Sequence, residues 1–291
     1  MNILVTGANG QLGNCLRDRA AKYPDHRFIF TDVTRSPEVE TVYLDITDAD
    51  AVRLICQSEK VDLIVNCAAY TAVDKAEDDT ALCALLNAKA PGILAAAAAA
   101  CGAGIIHIST DYVFGGDVPV PLKEDFPVHP TGVYGATKLQ GEQAVIEAGC
   151  SSWIIIRTAW LYSTYGKNFV KTMKELTATR PVVKVVFDQV GTPTYAGDLA
   201  DLILHVIGSG QWTRTGVYHF SNEGVCSWFD FATAIRDLSG GTAKVLPCHS
   251  DEFPSKVHRP AFSVLDKSKV KEVFGFEVPH WYESLKKCLS I

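Results

Sequence analysis

A chain of 291 residues with 47% hydrophobic and 21% charged residues has the composition of an ordinary folded protein, which excludes disorder and a coiled coil and leaves room for one large α/β unit with a smaller lobe. The formal net charge of −6, with no local run of Lys and Arg, argues against nucleic acid as a partner. Nine cysteines, without a Cys-x-x-Cys pair or zinc spacing, are expected to be reduced and mostly buried thiols.

The opening, MNILVTGANG, has no basic region followed by an apolar stretch and a cleavage site. The longest apolar-looking run, 93–101, is mostly alanine and short of the ~20 residues that cross a bilayer. The expectation is a cytoplasmic chain without a membrane partner.

In chain order, apolar β-branched runs alternate with helical stretches, the pattern of parallel strands joined by crossover helices. Strands are expected at Asn2–Thr6, Arg27–Thr31, Leu63–Asn66, Gly104–Ser109 and Trp153–Thr158, with helices at Gln11–Lys22, Asp48–Ser58, Asp79–Cys101 and Tyr134–Ala148. Runs such as ILV and LIV do not alternate, as expected of a sheet covered on both faces. The alanine-rich end of Asp79–Cys101 suits a closely packed helix, since alanine is the best helix former. Beyond Thr158 the pattern loosens into helices Phe169–Thr177 and Ala196–Gly208, a strand in VYHFSN, a helix Ser227–Leu238, a Pro-containing stretch Leu246–Pro260 and a terminal helix Trp281–Leu289. The fold expected is an α/β Rossmann-type doubly wound parallel sheet with a smaller, interleaved C-terminal lobe. Residues 1–158, with 188–210 returning to them, would form the cofactor unit; 159–187 and 211–291 would form the substrate lobe.

Gly7-Ala-Asn-Gly10-Gln-Leu-Gly13 follows the first strand and opens the first helix. Glycines there permit a tight turn and close approach of a pyrophosphate to free helix N–H groups. Against a purely structural glycine turn, this strand–turn–helix context points to a dinucleotide site that includes Gly7, Asn9, Gly10, Gln11 and Leu12. Asp32, about 20 residues on, suits the adenosine ribose hydroxyls and favours NADH, whereas Arg35 leaves NADPH open; its alternative is a turn residue after a strand. Asp45 and Ile46 are placed to border the adenine.

Tyr134 and Lys138 lie one helical turn apart on one face. The ammonium can favour a phenolate, leaving the tyrosine able to pass a proton to or from an alcohol. In a chain of this composition Tyr-x-x-x-Lys is expected about 0.6 times by chance, and Tyr282 with Lys286 is a second match, read as the face of an amphipathic helix. Tyr134 differs because a strand ending in Ser109-Thr110-Asp111 precedes it. Side chains past the carboxyl end of a parallel strand face the ligand crevice, so a hydroxyl of Ser109 or Thr110 would polarise a carbonyl there.

The glycine turn, the Ser/Thr strand end and Tyr-x-x-x-Lys, in this order, resemble the extended short-chain dehydrogenase/reductase family. Longer strings, among them NCAAYTAVDKAE (66–77), STDYVF (109–114), YGATKLQGE (134–142), RTAWLY (157–162), GKNFVKTM (166–173), DQVGTPTY (188–195) and RPAFSVLDKSK (259–269), are similar to the branch that reduces keto sugars carried on deoxythymidine diphosphate. The resemblance implies reduction of the 4-keto group of dTDP-4-dehydro-L-rhamnose by NADPH or NADH. It assigns proton donation to Tyr134, the nicotinamide ribose to Lys138 and the reacting oxygen to Thr110. Cys67, Ala68, Ala69, Tyr70 and Ile108 would add to the cofactor site. Asp111 and Trp160 would meet the sugar, and Asn168 and Arg259 the diphosphate. For Trp160 the alternative is core packing, and for Arg259 a surface ion pair. Some family members bind magnesium at a dimer interface through a Glu after the glycines. Here Cys15 stands in that stretch and is no ligand for a hard cation, so no metal is expected and a monomer or homodimer remains open. Two further readings stand beside this one: another sugar-nucleotide reductase or epimerase of the family, and a non-catalytic subunit resembling the β subunit of methionine adenosyltransferase.

Overall fold

The apolar runs expected to be covered on both faces form the centre of a seven-stranded parallel sheet in a computed structural model that describes all residues except 117, 254, 258 and 291. Its strands are β1 (Asn2–Thr6), β2 (Arg27–Asp32), β3 (Val42–Tyr43), β4 (Leu63–Asn66), β5 (Gly104–Thr110), β6 (Trp153–Thr158) and a late strand at Gly216–His219. In space the late strand pairs with β6, and β5, β4, β1, β2 and β3 follow. The order reverses between β1 and β4, so the chain's crossovers part at that point and open a crevice at the carboxyl ends of the strands. Leu4, Ile64, Ile105 and Ile155 are buried on one face and Ile3, Val5, Val65, Ile106 and Ile154 on the other. Each such side chain contributes ~1.5–3 kcal/mol by leaving water.

Helices cover both faces. α1 (Gln11–Ala20) and α8 (Ala196–Gly208) lie on one side and α2 (Ala49–Ser58), α5 (Ala90–Cys101) and α6 (Val133–Glu147) on the other. α2 starts where Asp48 accepts hydrogen bonds from the N–H groups of Asp50 and Ala51, an N-cap. The stretch expected as one helix from Asp79 is α4 (Thr80–Ala84), a π turn at Leu85–Lys89 and then α5, with α3 (Val73–Ala76) just before it. The π turn lets α6 approach: a Cβ on Gly141 would lie 2.1 Å from the Asn87 carbonyl, so only glycine fits there. One expectation is corrected. Thr80–Cys101, at 22 residues and mean hydropathy 1.5, is by length and composition long enough to cross a membrane; here its alanine face packs against α2, α6 and the sheet.

A second group of elements carries its own apolar core of Tyr162, Val170, Phe231, Ile235 and Leu285. It comprises β7 (Leu161–Tyr162), α7 (Phe169–Thr179), β8 (Val182–Val186), β9 (Val190–Gly191), β10 (Thr194–Tyr195), β12 (Cys226–Ser227), α9 (Trp228–Ser239), β13 (Lys244–Cys248) and α11 (Trp281–Leu289), with the late sheet strand counted as β11. α10 (Ser268–Phe274) packs on β11 and the first core. β13 overlaps the start of the Pro-containing stretch 246–260, of which 254 and 258 lie outside the described residues. Gly216–His219, expected in the second lobe, is an outer strand of the large sheet.

Candidate active site

The turn after β1 is built for close approach. Gly7 has φ +63°, and a Cβ there would lie 2.6 Å from the Ala68 nitrogen in the strand-end segment after β4. Gly10 donates to the Gly7 carbonyl and forms the N-terminal boundary of α1 without a side-chain cap, so the first N–H groups of α1 have no capping side chain, the arrangement that accepts a phosphate. A cleft of about 650 Å³ opens from this turn across the strand ends. Gly7, Gly10, Gln11, Leu12, Asp32, Asp45, Ile46, Cys67, Ala68, Ala69 and Ile108 line one part of it, and Thr110, Asp111, Tyr134, Lys138, Trp160 and Asn168 the other. The glycine-rich turn, an acid at the end of β2 and a cleft over the switch point fit a dinucleotide.

Three expected residues stand elsewhere. The Asn9 side chain donates to the Thr34 carbonyl and accepts from the Thr41 hydroxyl, tying down the loop after β2 rather than lining the cleft. Tyr70 exchanges backbone hydrogen bonds with the Asn87 side chain, and its hydroxyl donates to Asp79. Arg259, expected at a diphosphate, is ion-paired to Asp74 at 2.9 Å and is not among the cleft residues; an available carboxylate has captured it. Besides Lys138, the cleft is lined by Lys167, exposed and placed just before α7. Asn168 lines the cleft, but its amide donates to Gln11 at 3.0 Å and to the Ser163 carbonyl at 2.8 Å, while its oxygen caps α7. It holds the 163–168 loop against the glycine turn.

The two strand-end hydroxyls differ in their partners. Ser109 donates to Glu142 at 2.5 Å, inside the protein. Thr110 donates to Asp111 at 3.0 Å and lines the cleft together with Tyr134. Tyr134 sits edge-on to Tyr112, with ring centroids 5.5 Å apart. Burial pushes the Tyr134 phenol above its usual range, and the Thr110 hydroxyl opposes this. The Lys138 Nζ donates to the Ile108 carbonyl at 2.6 Å, and burial lowers its own ionisation to about 8.

Asp111 is buried, and among the described residues its Oδ2 has no hydrogen-bond partner. Desolvation raises its carboxyl to about 7, against the pull of the Thr110 and Ser263 hydroxyls. Trp160 has φ +49°, uncommon for a bulky residue, and its ring stacks on Trp228 at 3.6 Å and 12°. Trp160 lines the cleft, and Trp228 of the second group of elements packs against it. Cys15 lies buried against α8, with its thiol pushed up to about 12 by burial. The second Tyr-x-x-x-Lys match sits on α11, where the Lys286 ammonium lies over the Tyr282 ring at 5.2 Å and pairs with Glu283.

Comparison with known proteins places this geometry in context. Residues 1–291 match the family described as RmlD substrate binding domain. A dTDP-4-dehydrorhamnose reductase of Mycolicibacterium smegmatis is 40% identical over 291 residues, covering 99% of this chain and 85% of the relative. A crystal structure of a dTDP-4-dehydrorhamnose reductase from Clostridium acetobutylicum superposes with a TM-score of 0.91 at 44% identity, covering 100% of this chain and 99% of the other. That of a dTDP-4-dehydrorhamnose reductase from Bacillus anthracis, in complex with NADP, gives 0.90 at 37% identity, covering 99% and 98%.

Proposed function

We propose, from the premise that this chain belongs to the RmlD substrate binding domain family, that it is an NAD(P)H-dependent oxidoreductase that reduces dTDP-4-dehydro-β-L-rhamnose to dTDP-β-L-rhamnose. The observation that carries this reading is the meeting of Thr110, Tyr134 and Lys138 in a cleft continuous with the glycine turn, in a chain whose full length is similar to reductases of that sugar.

When bound, the dinucleotide supplies a hydride to the keto carbon. The turn at Gly7, Gly10 and the N-terminus of α1 receive its pyrophosphate, and Asp32 faces the adenosine ribose. Tyr134 Oη gives its proton to the oxygen of the reduced carbon. A phenol held protonated by burial suits a donor in the reductive direction, because it retains its proton until negative charge develops beside it. Thr110 Oγ1 positions that oxygen next to Tyr134. Lys138, one turn from the tyrosine, places its ammonium at the strand end, where it meets the nicotinamide ribose. Trp160 and Asp111 close on the sugar, and Lys167 takes the place at the diphosphate that Arg259 does not fill.

The large sheet acts as the cofactor unit, and the elements around α7, α9 and α11 as the substrate lobe. The reading is of a cytoplasmic enzyme, monomeric or homodimeric. Incubation of purified protein with NADPH or NADH and enzymatically generated dTDP-4-dehydro-L-rhamnose tests it. The expected product is dTDP-L-rhamnose, identified by mass and NMR; a sugar nucleotide reduced at another carbon, or none, overturns the assignment.

A further inference from the structure

Glu142 and Arg157 form an ion pair buried on both sides: Arg157 Nε donates to Oε1 at 2.9 Å, Arg157 Nη2 to Oε2 at 2.7 Å, and the side chains are 3% and 5% exposed. Ser109 donates to the same Oε1 at 2.5 Å. A buried pair of this kind is weak support for stability, because desolvation of both charges offsets their attraction. Its position suggests another use. Glu142 lies four residues after Lys138 on α6, the spacing at which a lysine and a glutamate normally pair with each other. Here both carboxylate oxygens are taken from the opposite side, by β6 and the end of β5, and the Lys138 ammonium turns to the Ile108 carbonyl beside the cleft.

We propose that Arg157 is a positioning residue that withholds Glu142 from Lys138, keeping the lysine cation at the cleft and setting the pH above which the site loses it. The inference rests on the reductase reading. The groups facing Lys138 are few: Tyr134 and Glu142 on its own helix, Cys83 on α4, and His107 on β5, whose imidazole is held neutral by burial and by the lysine. Arg157 on β6 and Asp111 beyond Thr110 complete the charged surroundings. Removing one member of the pair therefore leaves an uncompensated charge of known sign near Lys138.

The test is the pH dependence of kcat and kcat/KM for reduction by the full chain, with folding verified by thermal unfolding. In E142Q the unpaired Arg157 repels the lysine proton, and the basic limb moves down by about one pH unit. In R157M the freed Glu142 draws the ammonium away from the cleft; the basic limb moves up by about one unit and kcat falls several-fold while dinucleotide affinity at neutral pH changes less. Limbs that shift in the same direction, or that stay at the wild-type position in folded variants, overturn the proposal. S109A keeps the ion pair and carries the test where either variant fails to fold: losing a donor to Glu142 should raise the basic limb by about 0.3 unit, and a superimposable profile overturns it. Failure of the wild-type protein to reduce the sugar removes the functional reading instead, which separates the two outcomes.

Discussion

Replacing Asp111 with Asn exposes the cost of the buried carboxyl beside Thr110. Asp111 is 3% exposed, and its ionisation is moved from 3.8 to about 7 chiefly by desolvation. The sign follows from linkage. The unfolded chain loses this proton first, so between those two values the folded state binds more protons and stability falls as pH rises. The effect is absent well below 3.8 and complete above about 7. At about 1.4 kcal/mol per unit it amounts to at most about 4 kcal/mol, of which about 3 kcal/mol develops between about pH 5 and about pH 8. The Asn side chain leaves a buried amide where Oδ2 has no partner, a penalty of about 1–3 kcal/mol that does not vary with pH. The informative quantity is therefore the pH dependence of the wild-type minus D111N difference from urea unfolding. His107 and His219, both held neutral by burial, reduce stability on acidification but cancel in that difference. Wild type should lose ground to D111N as pH rises. A constant difference, or one that grows in favour of wild type, would refute the reasoning.

The remaining substitutions probe the site directly. Tyr134→Phe should lower kcat by about 10²–10⁴-fold, with dinucleotide affinity by fluorescence titration close to wild type. Gly7→Ala places a methyl 2.6 Å from the Ala68 nitrogen at φ +63°; dinucleotide affinity should fall and the fold lose about 1–3 kcal/mol, read by titration and thermal unfolding. Trp160→Ala removes the stack on Trp228 and should raise KM for the sugar nucleotide about tenfold, with KM for the dinucleotide little changed.

What the sequence disclosed well was local. β1, the glycine turn and α1 follow one another within residues 2–20, and a run such as ILV has one stable place in a sheet covered on both sides. The position of Tyr134 and Lys138 on one helix face also needs only helical geometry. Contacts between distant segments were hidden. β8 and β13 pair although about 60 residues separate their partners, and Pro247 within β13 disguises it as loop. Arg259 reads as a phosphate ligand until the fold brings Asp74 to it. The burial of Glu142 likewise depends on β6, which brings Arg157 to it. Lys167 gave no signal beyond its place before a helix start, and its access to the cleft depends on the tie between Asn168 and Gln11.

The most direct test of the central claim is the fall in nicotinamide absorbance when wild type and Tyr134→Phe, matched for bound dinucleotide, each meet dTDP-4-dehydro-L-rhamnose. Rapid substrate-dependent oxidation by the wild type, with formation of dTDP-L-rhamnose and loss of turnover in the variant, is the result the account predicts. Equal rates in the two proteins, or oxidation by neither despite intact dinucleotide binding, would contradict it.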